Sequence, residues 1–387
     1  MGPYVCTGRV RDKYNIVKRI ALIIALLFAL NCDSLACTSA AVSAQRSSEG
    51  VPLLWKHRDN SFSNTRVDYI TGGTYAYTAI VPNNKNYWRG VYAGINKVGL
   101  GVITTATKNL PSATEEEWAA CPRKRVRVGL SRYALRECAT VDEFEEILRT
   151  TKRKRGFNSN LGVADGTGAV AYFEVWDLGY RRYDVGERTE GFDIRTNFSH
   201  ARIAKTKGAS ERRYNLMMNE MSNHRGRFSP QDFIGYSRSF NSVKMDNILA
   251  NSNTYFCSNH TVPRYSTVGA FVLVCDRESP RMLVMNGHSV SSIAVPVYVN
   301  AGSHIPQCVQ GDAMRLLSED FREKAYHKVA EKKFALNKEV VRKVLKIKQP
   351  KIVMPQNMPQ DIHSFNIRID QQFAKHELRV RKVLSKF

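Results

Sequence analysis

Cys37 follows an apolar run at residues 20–30 and the short stretch Ser34-Leu35-Ala36, with Arg9, Arg11, Lys13, Lys18 and Arg19 upstream. Basic, then apolar, then small residues is the pattern of an export signal, and small residues at 34 and 36 suit cleavage after Ala36. The apolar run is shorter than the roughly 20 residues that a bilayer span needs. Cleavage there would give Cys37 a free α-amino group beside its thiol. Such an amine titrates near about 7.7 to 8.0, so a good fraction is neutral at ordinary pH and can take the thiol proton, directly or through water. One terminal residue would then supply both nucleophile and base. The competing readings are a small buried apolar residue that merely follows the signal, or a lipid-bearing cysteine. Lipid attachment would block the amine, and Ser34, three residues earlier, fits a lipoprotein signal poorly.

Other chemistry is weakly encoded. His57, His200 and His260 have no spacing that suits a metal or a cysteine–histidine pair, and no phosphate-binding glycine loop is present. The expectation is therefore no metal and no nucleotide cofactor. Eight cysteines fall to six on cleavage, and setting Cys37 aside leaves Cys121, Cys138, Cys257, Cys275 and Cys308. An odd remainder at irregular spacing is not a disulfide framework. One or two bridges remain open but cannot be assigned.

The elements that would position Cys37 begin with a hairpin. CTSAAVSA and VPLLWK are short apolar or alternating runs separated by the turn at 47–50, and VYAGINKVGLGVIT reads as a second hairpin turning at Asn96-Lys97. Residues 128–138 carry apolar side chains at helical spacing, and Thr140-Val141-Asp142-Glu143 resembles a capping box for a helix through Leu148. Strands return at 160–164 and 169–175 around the turn Asp165-Gly166-Thr167-Gly168, and again near 194–198. Helices are predicted at 210–221 and 230–239, and strands at 265–274, 282–286 and 292–299. From about Gly311 the tail reads as helical and basic, with a proline-containing link at 350–359. Strand blocks enclosed by helix blocks predict an α+β layered architecture.

Cys37-Thr38, followed by Leu54-Trp55-Lys56-His57-Arg58-Asp59, resembles the opening of the choloylglycine hydrolase and penicillin V acylase group of N-terminal-nucleophile hydrolases. The resemblance continues in order through Gly94-Ile95-Asn96-Lys97-Val98-Gly99-Leu100, then Asp165-Gly166-Thr167-Gly168 with Glu174. It then runs through Arg195-Thr196-Asn197-Phe198 and Ser210-Glu211-Arg212-Arg213-Tyr214, covering roughly residues 37–299. It implies a four-layer αββα sandwich and attack by Cys37 on an amide carbonyl through a thioester. It also implies that Asp59 holds the α-amino group, and that the Asn197 amide donates to the oxyanion. Arg213, or equally Arg212, would pair with Asp59 or lie near the thiolate.

Lys56 stands where the group has an arginine; a cation there would still favour a thiolate or contact substrate. Asn96 is better explained as setting its hairpin turn. Thr104-Thr105-Ala106-Thr107 stands where bile salt hydrolases carry an asparagine near the oxyanion, so bile salts are not the default substrate.

The implied organisation is a signal peptide at 1–36, a catalytic domain at 37–310 and a basic helical extension at 311–387, the last packing on the core or mediating oligomers. The implied reaction is hydrolysis of a linear, non-peptide amide of a small molecule by an exported, periplasmic or extracellular, enzyme. Acyl transfer of the isopenicillin N acyltransferase type also fits the cysteine start. A catalytically inactive binding protein remains a third reading, supported by Lys56. Net charge is +23, and loss of five basic and two acidic residues with the signal leaves +20. Such a charge favours association with an anionic envelope surface. The basic residues, including the runs at 123–127 and 152–155, are dispersed and accompanied by no nucleic-acid module. The expectation is no specific nucleic-acid partner.

Overall fold

The computed structural model describes residues 36–84, 90–111, 114–120, 129–150, 158–177, 179–200, 208–242, 248–249, 261–330 and 333–387. Residues 1–35 of the proposed signal at 1–36, together with His260, Cys121, Cys257 and the basic runs at 123–127 and 152–155, lie outside the described residues. A compact unit runs from Ala36 to Phe387 and so begins one residue before Cys37.

Strands β1 (Thr38–Val42) and β2 (Leu53–Asp59) form the first hairpin, with Thr38 opposite His57 and Val42 opposite Leu53. They sit inside a six-stranded sheet completed by β10 (Phe192–Arg195), β11 (Thr267–Val274), β12 (Arg281–Met285) and β13 (Val295–Tyr298), in the order β10-β1-β2-β11-β12-β13. The seven-stranded sheet is a meander of β3 (Thr65–Ile70), β4 (Tyr77–Pro82), β5 (Ala93–Asn96), β6 (Gly101–Ala106), β7 (Ser159–Ala164), β8 (Val170–Val175) and β9 (Tyr180–Asp184). Neighbouring strands are antiparallel throughout both sheets.

Because side chains alternate along a strand, each sheet has two faces with different duties. Leu54, Phe271, Leu273, Met282 and Val284 of the six-stranded sheet share one core with Val67, Ile80, Ile95, Ile103 and Tyr172 of the seven-stranded sheet. The alternate residues Leu53, Trp55, Ala270 and Val272 pack instead under helices α4 (Ala209–Ser222) and α5 (Pro230–Arg238). On the seven-stranded sheet, Tyr77, Val102, Leu161 and Phe173 pack under α2 (Leu130–Glu137) and α3 (Val141–Thr150). The short helix α1 (Glu115–Ala120) precedes these.

Sequence features fix several of these elements locally. Asn96 bridges its own hairpin and the end of α2: its Oδ1 accepts from the amides of Val98 and Leu100, and its Nδ2 donates to the carbonyls of Leu135 and Cys138. Thr140 Oγ1 accepts the Glu143 amide at the start of α3, while the Glu143 carboxylate takes the amide of Ala139 instead of Thr140. Asp165 closes its turn onto Thr167 and also caps α3 by accepting the Val141 amide at 2.8 Å.

The tail departs from a purely helical reading. Residues 307–384 form α6 (Gln307–Gln310), α7 (Ala313–Ala325), the hairpin β14 (Tyr326–Ala330) and β15 (Lys333–Leu336), α8 (Lys338–Leu345) and α9 (Ile362–Leu384). Apolar residues Met314, Leu317, Phe321, Val340, Val344, Phe373 and Val380 belong to the core cluster shared with both sheets. The tail therefore packs on the core, and no helix of the described residues is long and apolar enough to cross a membrane.

Gly99 closes the β5–β6 turn at φ +86°, and a Cβ there would meet the Asp276 carbonyl oxygen at 2.7 Å. Left-handed strain and this backbone contact predict that Gly99→Ala costs about 2 kcal/mol. Urea unfolding of the variant checks this; a loss below about 0.5 kcal/mol would contradict the turn geometry described.

Candidate active site

Cys37 precedes β1 directly, and the β1–β2 register puts Arg58 opposite it, one step beyond the Thr38–His57 pair. Cys37 is 5% exposed, and its thiol points at the Asp59 carbonyl, with Sγ 4.0 Å from the oxygen. Alternation then aims Cys37, Ser39, Lys56 and Arg58 at the space between the sheets, and Thr38, His57 and Asp59 at the opposite side. The thiol thus lies at the mouth of a polar seam between two apolar sheets.

The seam is built from named pairs. Lys56 Nζ donates to the Tyr92 carbonyl at 3.1 Å, to Thr104 Oγ1 at 3.1 Å and to the Thr104 carbonyl. These three acceptors use all three ammonium protons, so Lys56 ties β2 to β6 and has no donor left for substrate. Ser39 Oγ receives hydrogen bonds from Thr105 Oγ1 and from the Tyr172 hydroxyl. Arg195 pairs with Glu174 at 3.1 Å and with Asp193 at 2.7 Å, all three buried. Glu174 in turn accepts from Ser199 Oγ and from the His200 amide, which fixes the chain just past Asn197.

Arg213, from the first turns of α4, is fully buried and gathers the other side of the site. Its Nη1 donates to the Cys37 carbonyl and to Thr38 Oγ1 at 2.9 Å; its Nη2 donates to Asn197 Oδ1 at 3.0 Å and Ser210 Oγ at 3.2 Å. Asn197 Nδ2 donates to the Ala106 carbonyl at 2.7 Å, so the amide orientation is set at both ends and one N–H remains free. Burial, and then the neighbouring Arg264, pull Arg213 down to about 9. Arg212 is half-buried and contributes none of the contacts around Cys37.

Asp59 is the buried carboxylate of the site. Of the two places expected for Arg213 or Arg212, pairing with Asp59 or lying near the thiolate, Arg213 takes the second, beside Cys37; the ion pair with Asp59 is made by Arg264, whose Nε lies 2.9 Å from Oδ2. Thr267 Oγ1 gives its proton to Asp59 Oδ1 at 2.9 Å, and therefore accepts from the Arg264 amide at 2.9 Å and from His57 Nε2 at 3.1 Å. Burial alone would raise the Asp59 carboxyl, but Arg264, His57 and Arg213 outweigh it and hold it below its ordinary value. Asp59 is thus an anion inside the protein.

Of the site candidates read from the sequence, the structure brings Cys37, Lys56, Asp59, Asn197 and Arg213 together. Sequence reasoning missed Arg58, Arg264 and Thr267. Arg58 stacks on Tyr92 with its guanidinium carbon 3.9 Å from the ring centre, and donates Nη1 to the Phe62 carbonyl at 3.0 Å. A register count from the β1–β2 turn would have revealed Arg58, because cross-strand partners share a face. His57, set aside as an isolated histidine, belongs to the Asp59 cluster as a buried neighbour. His200 stacks on Phe198, 5.5 Å between centroids, and burial lowers it to about 2. Cys138, Cys275 and Cys308 are free and buried. Among the described residues no three His, Cys, Asp or Glu side chains converge as metal ligands.

No family model matches the chain, and no curated protein matches it. Among solved structures it is similar to a variant of conjugated bile acid hydrolase from Clostridium perfringens, at 14% identity over 68% of this chain and 93% of that chain, TM-score 0.45. It is similar to penicillin V acylase from Agrobacterium tumefaciens, at 13% identity over 68% and 86%, TM-score 0.43. A third is the N-acylethanolamine-hydrolyzing acid amidase ortholog of Caenorhabditis elegans, at 17% identity over 62% and 92%, TM-score 0.40.

Burial lowers Lys56 from 10.5 to about 8, with Cys37 opposing and Arg58 reinforcing the shift. Between those values the unfolded chain holds a proton that the folded chain has released, so stability owed to this position rises with pH from 8 to 10.5. Urea unfolding at both ends of that window should show the wild type gaining about 3 kcal/mol on Lys56→Met. A pH-independent difference would contradict the burial of this amine.

Proposed function

We propose that this chain is an exported N-terminal cysteine amidase that cleaves a linear, non-peptide amide of a small molecule through a thioester on Cys37. The observation that carries the reading is the fixing of Cys37 at the threshold of the compact unit. Ala36 is its first residue, and the Cys37 carbonyl is gripped by the buried Arg213. Across the hairpin stands Arg58, and Lys56 and Arg58 are both electrostatically coupled to the sulfur. Removal of residues 1–36 would leave this backbone in place and turn the Cys37 nitrogen into an amine.

In the proposed cycle the neutral α-amino group takes the thiol proton, and the thiolate attacks the amide carbonyl. The resulting oxyanion receives the free N–H of Asn197, held in place by Arg213 and the Ala106 carbonyl. A preorganised donor of this kind is worth about 3 kcal/mol. The α-ammonium then returns its proton to the departing amine as the C–N bond breaks, leaving the acyl group on sulfur. Water attacks the thioester, again giving its proton to the α-amino group; the C–S bond then breaks, the carboxylic acid leaves, and the α-ammonium returns the proton to the Cys37 thiolate. Asp59, ionised and buried, holds the α-ammonium through this exchange, while Lys56 and Arg58 supply positive charge to the thiolate.

The reading is tested by steady-state hydrolysis of a panel of N-acyl 4-nitroanilides by the mature protein. Cys37→Ser is expected to abolish turnover with unchanged circular dichroism, and Asn197→Ala to lower kcat about a hundredfold. Full activity in Cys37→Ser would refute the reading. An added primary amine that diverts the acyl group into a new amide at the expense of the acid would reassign the reaction to acyl transfer.

A further inference from the structure

The segment that carries Arg264 and Thr267 is a tight turn between residues 261 and β11. It is closed internally by the Thr267 amide on the Arg264 carbonyl at 3.0 Å and by the Arg264 amide on Thr267 Oγ1. Both residues meet Asp59 on one side. On the other side the turn faces α7 and the β14–β15 hairpin, both in the C-terminal extension.

Three contacts join the extension to this turn. Arg322 of α7 donates Nη2 to the Thr267 carbonyl at 2.9 Å. His288 Nδ1 accepts the Val290 amide at 3.3 Å, which puts its ring proton on Nε2. That nitrogen lies 3.1 Å from the Arg264 carbonyl and 3.0 Å from the hydroxyl of Tyr326, the first residue of β14. Between them the Tyr265 ring stacks on Phe334 of β15, centroids 3.6 Å apart and planes 10° from parallel, with Tyr326 edge-on at 5.9 Å. Each of residues 264, 265 and 267 is therefore held from outside by a different group.

We propose that the C-terminal extension is a positioning clamp for the catalytic carboxylate, in which Arg322, Tyr326 through His288, and Phe334 fix the 264–267 turn, and the turn fixes Asp59 beside Cys37. This rests on the amidase reading only for the role of Asp59; the clamp itself is a matter of geometry. Its parts are chosen for rigidity. His288 is buried, and burial first, then Arg322 and His57, keep its ring neutral, so it works by directed hydrogen bonding. Arg322 and His288 reach backbone carbonyls, which cannot rotate away as side chains can, and Tyr326 holds His288 in place.

Loosening the turn would free Asp59 from Arg264 and displace the carboxylate from the α-amino group it is proposed to hold, so that amine is less well placed to take the thiol proton and the thiolate forms less readily. The test is the rate of Cys37 alkylation by iodoacetamide in the mature full-length chain, read from the mass of the Cys37 peptide, alongside the thermal midpoint. Arg322→Met and the milder Tyr326→Phe are expected to slow alkylation at least fivefold while remaining folded. Arg322→Lys, which keeps a donor for the Thr267 carbonyl, is expected to recover most of the rate, and Lys375→Gln on the exposed face of α9 to leave it unchanged. A folded Arg322→Met or Tyr326→Phe with the wild-type rate, even at a lowered thermal midpoint, would reduce the extension to a stabilising cap and overturn the clamp. Failure of Arg322→Lys to recover the rate would also overturn it. Anilide turnover by the wild type is scored separately: slowed alkylation without any turnover would support the clamp and remove the amidase.

Discussion

The guanidinium of Arg213 is the contact on which the site depends. It is buried where three stretches of chain meet: the start of β1, the end of β10 and the first turn of α4. Burying a charged arginine costs several kcal/mol unless its donors are matched, and here four oxygens match the Nη donors, while Nε–H is buried without a hydrogen-bond partner. Two of these are the Cys37 carbonyl and Asn197 Oδ1, so one side chain sets the separation between thiol and amide donor. An edge that would otherwise fray at the first residue of a strand is pinned before the strand begins.

Around that junction the protein pays for polarity inside an apolar frame. Two sheets meet through aliphatic side chains over most of their area, yet the strands nearest Cys37 meet through Lys56 and Thr104, Ser39 and Tyr172, and Arg195 and Glu174. Each of these groups is matched, which is the condition for tolerating them in a core. The charges are not balanced at the sulfur: Lys56, Arg58 and Arg213 are coupled to Cys37, whereas Asp59 is engaged by Arg264, Thr267 and His57. That asymmetry favours anionic species at the thiol over cationic ones.

Much of this was legible in the sequence, for physical reasons. The hairpins at Asn96 and Asp165 could be read because a turn asparagine or aspartate acts on backbone amides two to four residues away, and those bonds are present. Asp59, Asn197 and Arg213 could be read only through resemblance. The ion pair of Asp59 was not legible, since its clamping hydroxyl at Thr267 is 208 residues distant in the chain and nothing local marks it. Arg58 was hidden beside Lys56, because only the strand register distinguishes the two: both face inward, but one is saturated by three carbonyl and hydroxyl acceptors. The β14–β15 hairpin was absorbed into a helical reading, since lysine and glutamate at 328–333 are helix formers. Its aromatic contacts with Tyr265 override that local preference. Strands β3 and β9 were not individually resolved because their polar residues face partly exposed surroundings and blur the alternation, and β4, buried at every position, has no alternation to show.

The central claim is that one residue is both the chain terminus and the nucleophile. Protein expressed from the full-length sequence should be acid-quenched during turnover of an N-acyl 4-nitroanilide and its N-terminal peptide measured by mass. The account predicts a peptide beginning at Cys37 and carrying one acyl group on that residue. A terminus at another residue, a lipid on Cys37, or an acyl group found elsewhere would contradict it.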